Sequence, residues 1–242
     1  ADTGGTTYDV SLVRRGTIPM TPETWIGQRY RGHIVGFPSV DVKSIGAGGG
    51  SLAWVDDGGL LHVGPESAGA VPGPACYGRG GERPTVTDAS LILGHIDPAY
   101  FLGGAMKLDA ARAESAVRAD VAKPLDLSLQ EAAAAILRLA TENMVGAIEE
   151  ITIDQGIDPR SAVLVGGGGA AGLNSVAIAR RLGCDQVVIP EVGAALSAAG
   201  ALMSDLHADF RALHYSSSVD FDFDGVNATL GGLVTKCKEF IK

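Results

Sequence analysis

Basic residues are scarce in this chain. Nineteen Lys and Arg against 28 Asp and Glu leave its 242 residues with a net charge of −9. With no dense Lys/Arg cluster either, no nucleic-acid partner is expected. Cysteine is nearly absent. Cys76, Cys184 and Cys237 are an odd number without metal-ligand spacing, which excludes a disulfide framework and predicts reduced thiols in a cytoplasmic protein. The histidines His33, His62, His95, His207 and His214 form no H-x-x-H or H-E-x-x-H pair, and Asp205, His207 and Asp209 at spacing two read as a solvated turn rather than a metal site. No apolar run reaches the length of a bilayer and no leader pattern is visible, so no membrane partner is expected. The chain does not begin with Met; "ADTGGTTYDV" reads as the middle of a strand–turn–strand unit, and we read the whole as part of a longer protein.

Glycine, by contrast, is abundant: 34 residues, about twice the usual share. The glycines cluster in loops, which brings backbone close to ligands or to other backbone. Residues 1–15 predict a hairpin bent at Gly4-Gly5, with Tyr8, Val10 and Leu12 on one face and Asp9 and Ser11 on the other. Residues 30–104 are rich in Gly and Pro and carry only short strands (33–35, 52–55, 60–63), the texture of a functional insertion. Residues 109–156 turn helical. Asp109 can cap one helix; Ser128 with Glu131 makes a capping box for a long one, whose apolar stripe is Ala133, Ile136, Leu137, Ala140, Met144, Ile148 and Ile151. Gly156 and Asp158-Pro159 stop it. Residues 161–205 then read strand, Gly loop, helix, strand and a small-residue helix. Residues 206–242 are a weakly defined tail or the start of a further domain, with "VDFDF" (219–223) as an edge strand.

Two glycine motifs carry chemistry. In "DTGGTTYD", a turn with Gly4 and Gly5 lets consecutive amides point at phosphate oxygens, and Thr6 and Thr7 add hydroxyls. Asp2 and Asp9 flank the turn, where carboxylates hold Mg²⁺, usually through its waters, or orient an attacking water. Alone, the stretch reads equally as an ordinary hairpin. In "AVLVGGGGAAGLNSVAIARRLGCDQVVIPE", Gly167-x-Gly169-x-x-Gly172 follows a short strand and opens a helix, with Glu191 about 20 residues further on. Literally this is the dinucleotide fingerprint, so an NAD-dependent oxidoreductase domain is one reading. That fold needs further strand–helix units after its fingerprint. Only about 50 residues follow Glu191, without that alternation, and "DTGGTTYD" is left without a role.

The other residues are ambiguous. "GAGGGS" (46–51) is a ligand-facing loop or a tightened turn. "GPESAGAVPGPACYGRGG" has Glu66, Ser67, Cys76 and Tyr77 as chemical groups; Cys76 is better read as a structural thiol than as a nucleophile, since no His lies nearby in sequence. Asp88 in "PTVTDASLILG" is expected to cap a helix over "ASLILG", with metal or substrate contact as the lesser reading. Arg79, Arg83, Arg180 and Arg181 are taken as surface charges.

Read together, "LVGGGGAAGLN" resembles the adenosine loop, and "DTGGTT" a phosphate loop, of the actin-like ATPases. The ordered series "DTGGTTYDVSLV", "IGAGGGSLAWVDDGGLLHVGPESAGAVPGPACYGRGG", "PTVTDASLILG", "GIDPRSAVLVGGGGAAGLNSVAIARRLG" and "IPEVGAALSAAGAL" resembles the hydantoinase A/oxoprolinase family of N-methylhydantoin hydrolases, 5-oxoprolinases and acetone-type carboxylases. The resemblance implies an α/β actin-like (ribonuclease H-like) domain over 1–205, the second of two in the full subunit, so that a preceding domain with its own D-x-G-G-T loop completes the cleft. It implies ATP and Mg²⁺ as cofactors and a cyclic amide or ketone as substrate, whose oxygen ATP activates by phosphorylation. A hydantoinase B-type partner subunit is also implied. On this reading Gly4, Gly5, Thr6 and Thr7 serve phosphates and Asp2 and Asp9 serve Mg²⁺ or water. Gly166, Gly167, Gly168, Gly169 and Gly172 approach adenosine, while Gly48, Gly49, Gly50, Ser51 and Glu66 make substrate-side or interdomain contacts. The loop reads "GGGGAAGLN" where relatives commonly have Gly-Gly-Ala-Gly-Pro, and a lone half of the cleft is expected to be catalytically silent.

Overall fold

The computed structural model describes residues 1–26, 31–35, 38–153, 155–206 and 208–241; His207 lies outside them. The chain divides into two compact units, Ala1–Ala199 and Gly200–Lys242.

In the first unit, strands β1 (Asp2–Thr3) and β2 (Tyr8–Ser11) form the expected hairpin, pairing Asp2 with Asp9 and Thr3 with Tyr8. Two small ladders follow, β3 (Met20–Thr21) with β6 (Ser39–Val40) and β4 (Thr24–Ile26) with β5 (His33–Val35). Strand β7 (Val42–Ile45) adds antiparallel to β2. The hairpin β8 (Ser51–Val55) and β9 (Leu61–Ser67) comes next, then helices α1 (Val86–Ile92), α2 (Ala110–Val117) and α3 (Leu129–Ile153). Strand β10 (Val163–Val165), helix α4 (Ala171–Leu182) and strand β11 (Gln186–Val188) are the strand–glycine–helix–strand unit, with β10 and β11 parallel. Helix α5 (Leu196–Met203) begins in this unit and runs past its last residue, Ala199.

The parallel pair and the antiparallel sheet are one surface. Ala1 N donates to Val165 O at 2.9 Å, Gly167 N to Ala1 O at 2.7 Å and Thr3 N to Gly167 O at 2.8 Å, with Asp2 bridging Gly167 in parallel. The spatial order is therefore β11–β10–β1–β2–β7. Three antiparallel strands beside two parallel ones do not make the parallel doubly wound sheet that the dinucleotide fingerprint requires, and the NAD reading is set aside.

Alternation decides which face is covered. Tyr8, Val10 and Leu164 bury against Met144, Val145, Ile148 and Ile151 of α3 and Ile178 and Leu182 of α4. The other half of α3 (Ala132, Ala133, Ile136, Ala140) packs with Val86, Ala89, Val117, Val121, Ala53 and Val63 into a second cluster. One helix thus forms the wall of both cores, as its apolar stripe predicts. Ser128 and Glu131 cap it reciprocally: the Ser128 amide donates to Glu131 Oε2 at 2.9 Å and the Glu131 amide to Ser128 Oγ at 3.3 Å. Those bonds hold the Glu131 carboxyl below its usual range, so the cap weakens as acidification passes through that lowered value. Asn143 Nδ2 donates to Val63 O at 3.1 Å and pins β9 to the same helix.

Helix α1 begins earlier than "ASLILG". Thr85 is its N-cap, and Asp88 sits inside the first turn as the partner of a capping box. The fully buried Asp88 carboxylate also gathers the Gly/Pro loop: it accepts from Cys76 N at 2.8 Å, Ala75 N at 3.2 Å, Thr85 N at 2.9 Å and Thr85 Oγ1 at 2.7 Å. Asp88→Ala leaves three buried amides without an acceptor, at about 1–3 kcal/mol for each orphaned group. We expect a drop of roughly 3–5 kcal/mol, read as a lower denaturant midpoint at unchanged slope. Cys76 is fully buried beside it, and desolvation followed by the Asp88 charge pushes its thiol far up. It is a packed thiol, as expected, and no thiolate nucleophile.

In the second unit, "VDFDF" is not a strand. Asp222 is the N-cap of helix α6 (Phe223–Phe240) and accepts the Gly225 amide at 2.8 Å. The five alternating residues pair with no strand among the described residues; the chain bends at Val219 and Asp220, and Asp222 then caps the helix.

Candidate nucleotide site

Three glycine loops meet at the hairpin. The first is its own tip, Gly4–Thr7. Here the Gly4 amide is committed, donating to Thr7 O at 3.0 Å. In this structure the Gly4 N–H closes the turn and so is not among the outward amides. The amides of Gly5, Thr6 and Thr7 donate to no protein acceptor among the described residues, and Gly5, Thr6 and Thr7 are exposed. Thr7 Oγ1 donates to Asp9 Oδ2 at 2.9 Å, leaving the Thr6 hydroxyl as the freer donor. Successive outward amides on a bent backbone make an anion-binding concavity.

The second loop, Gly46–Ser51, lies behind the tip. Gly49 N donates to Gly4 O at 3.1 Å and Gly50 N to Gly5 O at 2.6 Å. Gly48, Gly49, Gly50 and Ser51 are all buried. A Cβ on Gly48 would stand 2.7 Å from Gly4 O, and one on Gly50 2.9 Å from Gly5 O. The resemblance puts these residues in substrate-side or interdomain contacts; within this chain they back the hairpin from inside. Close backbone approach, rather than a ligand, is what requires glycine here. Ser51 Oγ accepts the Gly48 amide at 2.9 Å, and Thr87 Oγ1 donates to Gly49 O at 2.8 Å. Glu66 is exposed and paired with Arg83 Nη1 at 3.1 Å.

The third loop is Gly166–Ala170, and its glycines divide. A Cβ on Gly166 would meet Ser175 Oγ at 2.5 Å, and one on Gly167 would meet Leu196 Cδ2 at 2.6 Å. Gly168 (φ +88°) would meet Asp2 Oδ1 at 2.2 Å and Thr3 O at 2.4 Å. The Gly167 and Gly168 amides bond Ala1 O at 2.7 Å and Gly193 O at 2.8 Å, and Ala170 N bonds Thr3 O at 2.9 Å. The backbone of these three glycines packs into the joint with β1, α4 and α5, and that joint leaves no room for a side chain at any of them. Gly169 and Gly172 are exposed, with nothing within 4 Å of a built Cβ. They are the two left facing open space, at the start of α4 and next to the hairpin.

Asp2 and Asp9 are cross-strand partners, so both carboxylates leave the same face of the sheet. That face also carries Ser11, Val163 and Val165; with Leu196 and Ser197 they line part of an open cavity of about 800 Å³ that extends to the core side at Val10, Ile148, Ile151 and Leu182. Asp2 Oδ2 accepts a short hydrogen bond from Ser197 Oγ. Sequence reasoning missed Ser197, Thr87 and Gly193, whose contacts are all long-range and leave no local signal. Among the described residues no cluster of three or more His, Cys, Asp or Glu could hold a metal, and none of the helices is long and apolar enough to cross a membrane.

This sheet order, with a phosphate-type hairpin at its centre and a glycine loop before α4, is that of an actin-like (ribonuclease H-like) ATPase domain. Comparison with known proteins agrees. The model of the hydantoinase/oxoprolinase family matches residues 1–210, and the chain belongs to that family. It is 43% identical over 208 residues to caprolactamase subunit alpha of Pseudomonas jessenii, covering 86% of this chain and 29% of that one. It is 36% identical over 216 residues to 5-oxoprolinase of Saccharomyces cerevisiae, covering 85% and 16%. The nucleotide-free structure of an ATP-dependent acetone carboxylase superposes with a TM-score of 0.77 at 32% identity, over 84% of this chain and 28% of that one. The chain thus spans less than a third of the length of these relatives.

Proposed function

We propose that the chain is a nucleotide-binding part of an ATP-dependent hydrolase of cyclic amides. The observation that carries this reading is the lateral joint between hairpin and glycine loop. Through the Thr3–Gly167 and Ala170–Thr3 bonds, free amides at Gly5, Thr6 and Thr7 stand beside the open backbone at Gly169 and Gly172. An anion grip next to an unobstructed surface fits a nucleotide triphosphate, phosphates at the turn and adenosine over the loop.

ATP would supply the phosphoryl group that, placed on a lactam oxygen, makes the carbonyl carbon electrophilic towards water, and Mg²⁺ would offset the charge on its phosphates. Two adjacent hard carboxylates are the donor chemistry Mg²⁺ takes, usually with several waters retained; Asp2 and Asp9 would hold it in that manner. The Gly5–Thr7 amides and the Thr6 hydroxyl bind and orient phosphate oxygens. Ser197 and Thr7, by donating to Asp2 and Asp9, fix the carboxylates for water or metal, so that the contribution of these residues is positioning and charge neutralisation. The rest of the subunit, with a second phosphate loop, and a hydantoinase B-type partner would complete the site. Three free cysteines suit a cytoplasmic location.

A second reading within the family is a ketone carboxylase subunit, favoured by the acetone carboxylase superposition. Phosphate release by the full-length protein, with lactams, hydantoins, 5-oxoproline and ketones compared, separates the two. Calorimetry should show ATP–Mg²⁺ binding that Gly169→Val abolishes without loss of fold. Binding of NAD⁺ with no response to ATP would sink the proposal.

A further inference from the structure

Strand β9 ends at Ser67, and its Oγ stands 3.4 Å from Thr6 Oγ1 at the hairpin tip. This approach is built into the backbone. Gly50 N donates to Gly5 O at 2.6 Å, and Gly50 O accepts from Ala68 N at 2.9 Å; one residue of the backing loop thus holds both the tip and the end of β9. Gly50 can carry no side chain there, because its Cβ would lie 2.9 Å from Ser67 Oγ. Ser67 Oγ already accepts the Gly69 amide at 3.1 Å. With one Oγ lone pair so occupied, Ser67 has its proton to offer; if it donates to Thr6 Oγ1, the Thr6 proton is turned outward. Thr7 cannot substitute, since its hydroxyl is held by Asp9.

We propose that Ser67 is a positioning residue: it fixes the Thr6 hydroxyl in the orientation that donates to a phosphate oxygen. The Gly/Pro-rich segment that follows β9 is thereby coupled to occupancy of the hairpin. The inference rests on the nucleotide reading above.

The test uses the full-length protein with ATP–Mg²⁺, measuring Kd by calorimetry and KM and kcat for phosphate release in Ser67→Ala, Thr6→Ala, the double variant and Ser67→Thr. Loss of one neutral hydrogen bond predicts about 3- to 10-fold weaker ATP binding for Ser67→Ala, with kcat, melting temperature and affinity for adenosine unchanged. Ser67→Thr should restore binding. The double variant should bind as Thr6→Ala does, because the serine acts only through that hydroxyl. Independent, multiplying effects of the two substitutions would overturn the proposal, as would an unchanged Kd in Ser67→Ala beside a raised one in Thr6→Ala. Failure of the unsubstituted protein to bind ATP–Mg²⁺ would instead remove the nucleotide reading, and this inference with it.

Discussion

Gly168→Ala is expected to destabilise the first unit by about 3–5 kcal/mol, and to do so by parting the two halves of the candidate site. The φ of +88° alone disfavours any L side chain, by roughly 1–2 kcal/mol. The greater obstacle is steric: the new methyl would lie 2.2 Å from Asp2 Oδ1 and 2.4 Å from Thr3 O. A backbone oxygen cannot swing aside as a side chain can, so β1 must move, at a typical overpacking cost of about 1–3 kcal/mol. Moving β1 breaks the bonds of Thr3 N to Gly167 O and of Ala170 N to Thr3 O. The control is Gly169→Ala, one residue on, where a Cβ meets nothing within 4 Å. Its stability should stay within about 0.5 kcal/mol of the unsubstituted chain. Equal stabilities of the two variants would contradict the division of the glycines into joint and surface.

Asp9→Asn carries the second large effect, on turnover rather than folding. Asp2 and Asp9 face each other across the hairpin, and Asp9 is tied only to Thr7 Oγ1 within the described residues, at 2.9 Å. The amide keeps the shape and the hydrogen-bond acceptor but removes the negative charge. A positioned carboxylate acting on a nucleophile or its metal contributes about 10²–10⁴-fold, so kcat of the full-length protein should fall by at least about 100-fold. Nucleotide affinity without metal should change little. Excess Mg²⁺ that restores the rate would assign Asp9 to the metal, and an unrescued loss would assign it to the water. A variant within about threefold of the parent rate would remove Asp9 from the site.

Much of this organisation is legible in the residues because it is local. The hairpin at Gly4-Gly5, the long helix with its Ser128–Glu131 cap and the β10–α4–β11 unit each announce themselves through periodicity or capping within a dozen residues. The failures share a different character. Nothing near Gly48 shows that its neighbour is Gly4, and nothing near Gly168 shows that Asp2 fills the space a side chain would take. A glycine required by ligand and a glycine required by another strand are the same letter. "VDFDF" failed because alternation marks a strand only when a partner is present to pair with it. Thr85, the true cap of α1, was hidden by Asp88, which performs the reciprocal half of the same box and three other bonds besides.

The position of β1 bears on how the chain reaches this state. Asp2 and Thr3 supply the middle strand of the sheet, and the bond from Ala1 to Val165 on one side of it spans 164 residues. Local elements such as α3 and the β8–β9 hairpin can form early. The central seam has to wait for the last third of the first unit, and closing so long a loop before its contacts form is slow. On a ribosome, β1 would emerge long before β10 exists to pair with its exposed edge. The two halves of the candidate site therefore come together only once β10 is there for β1 to pair with.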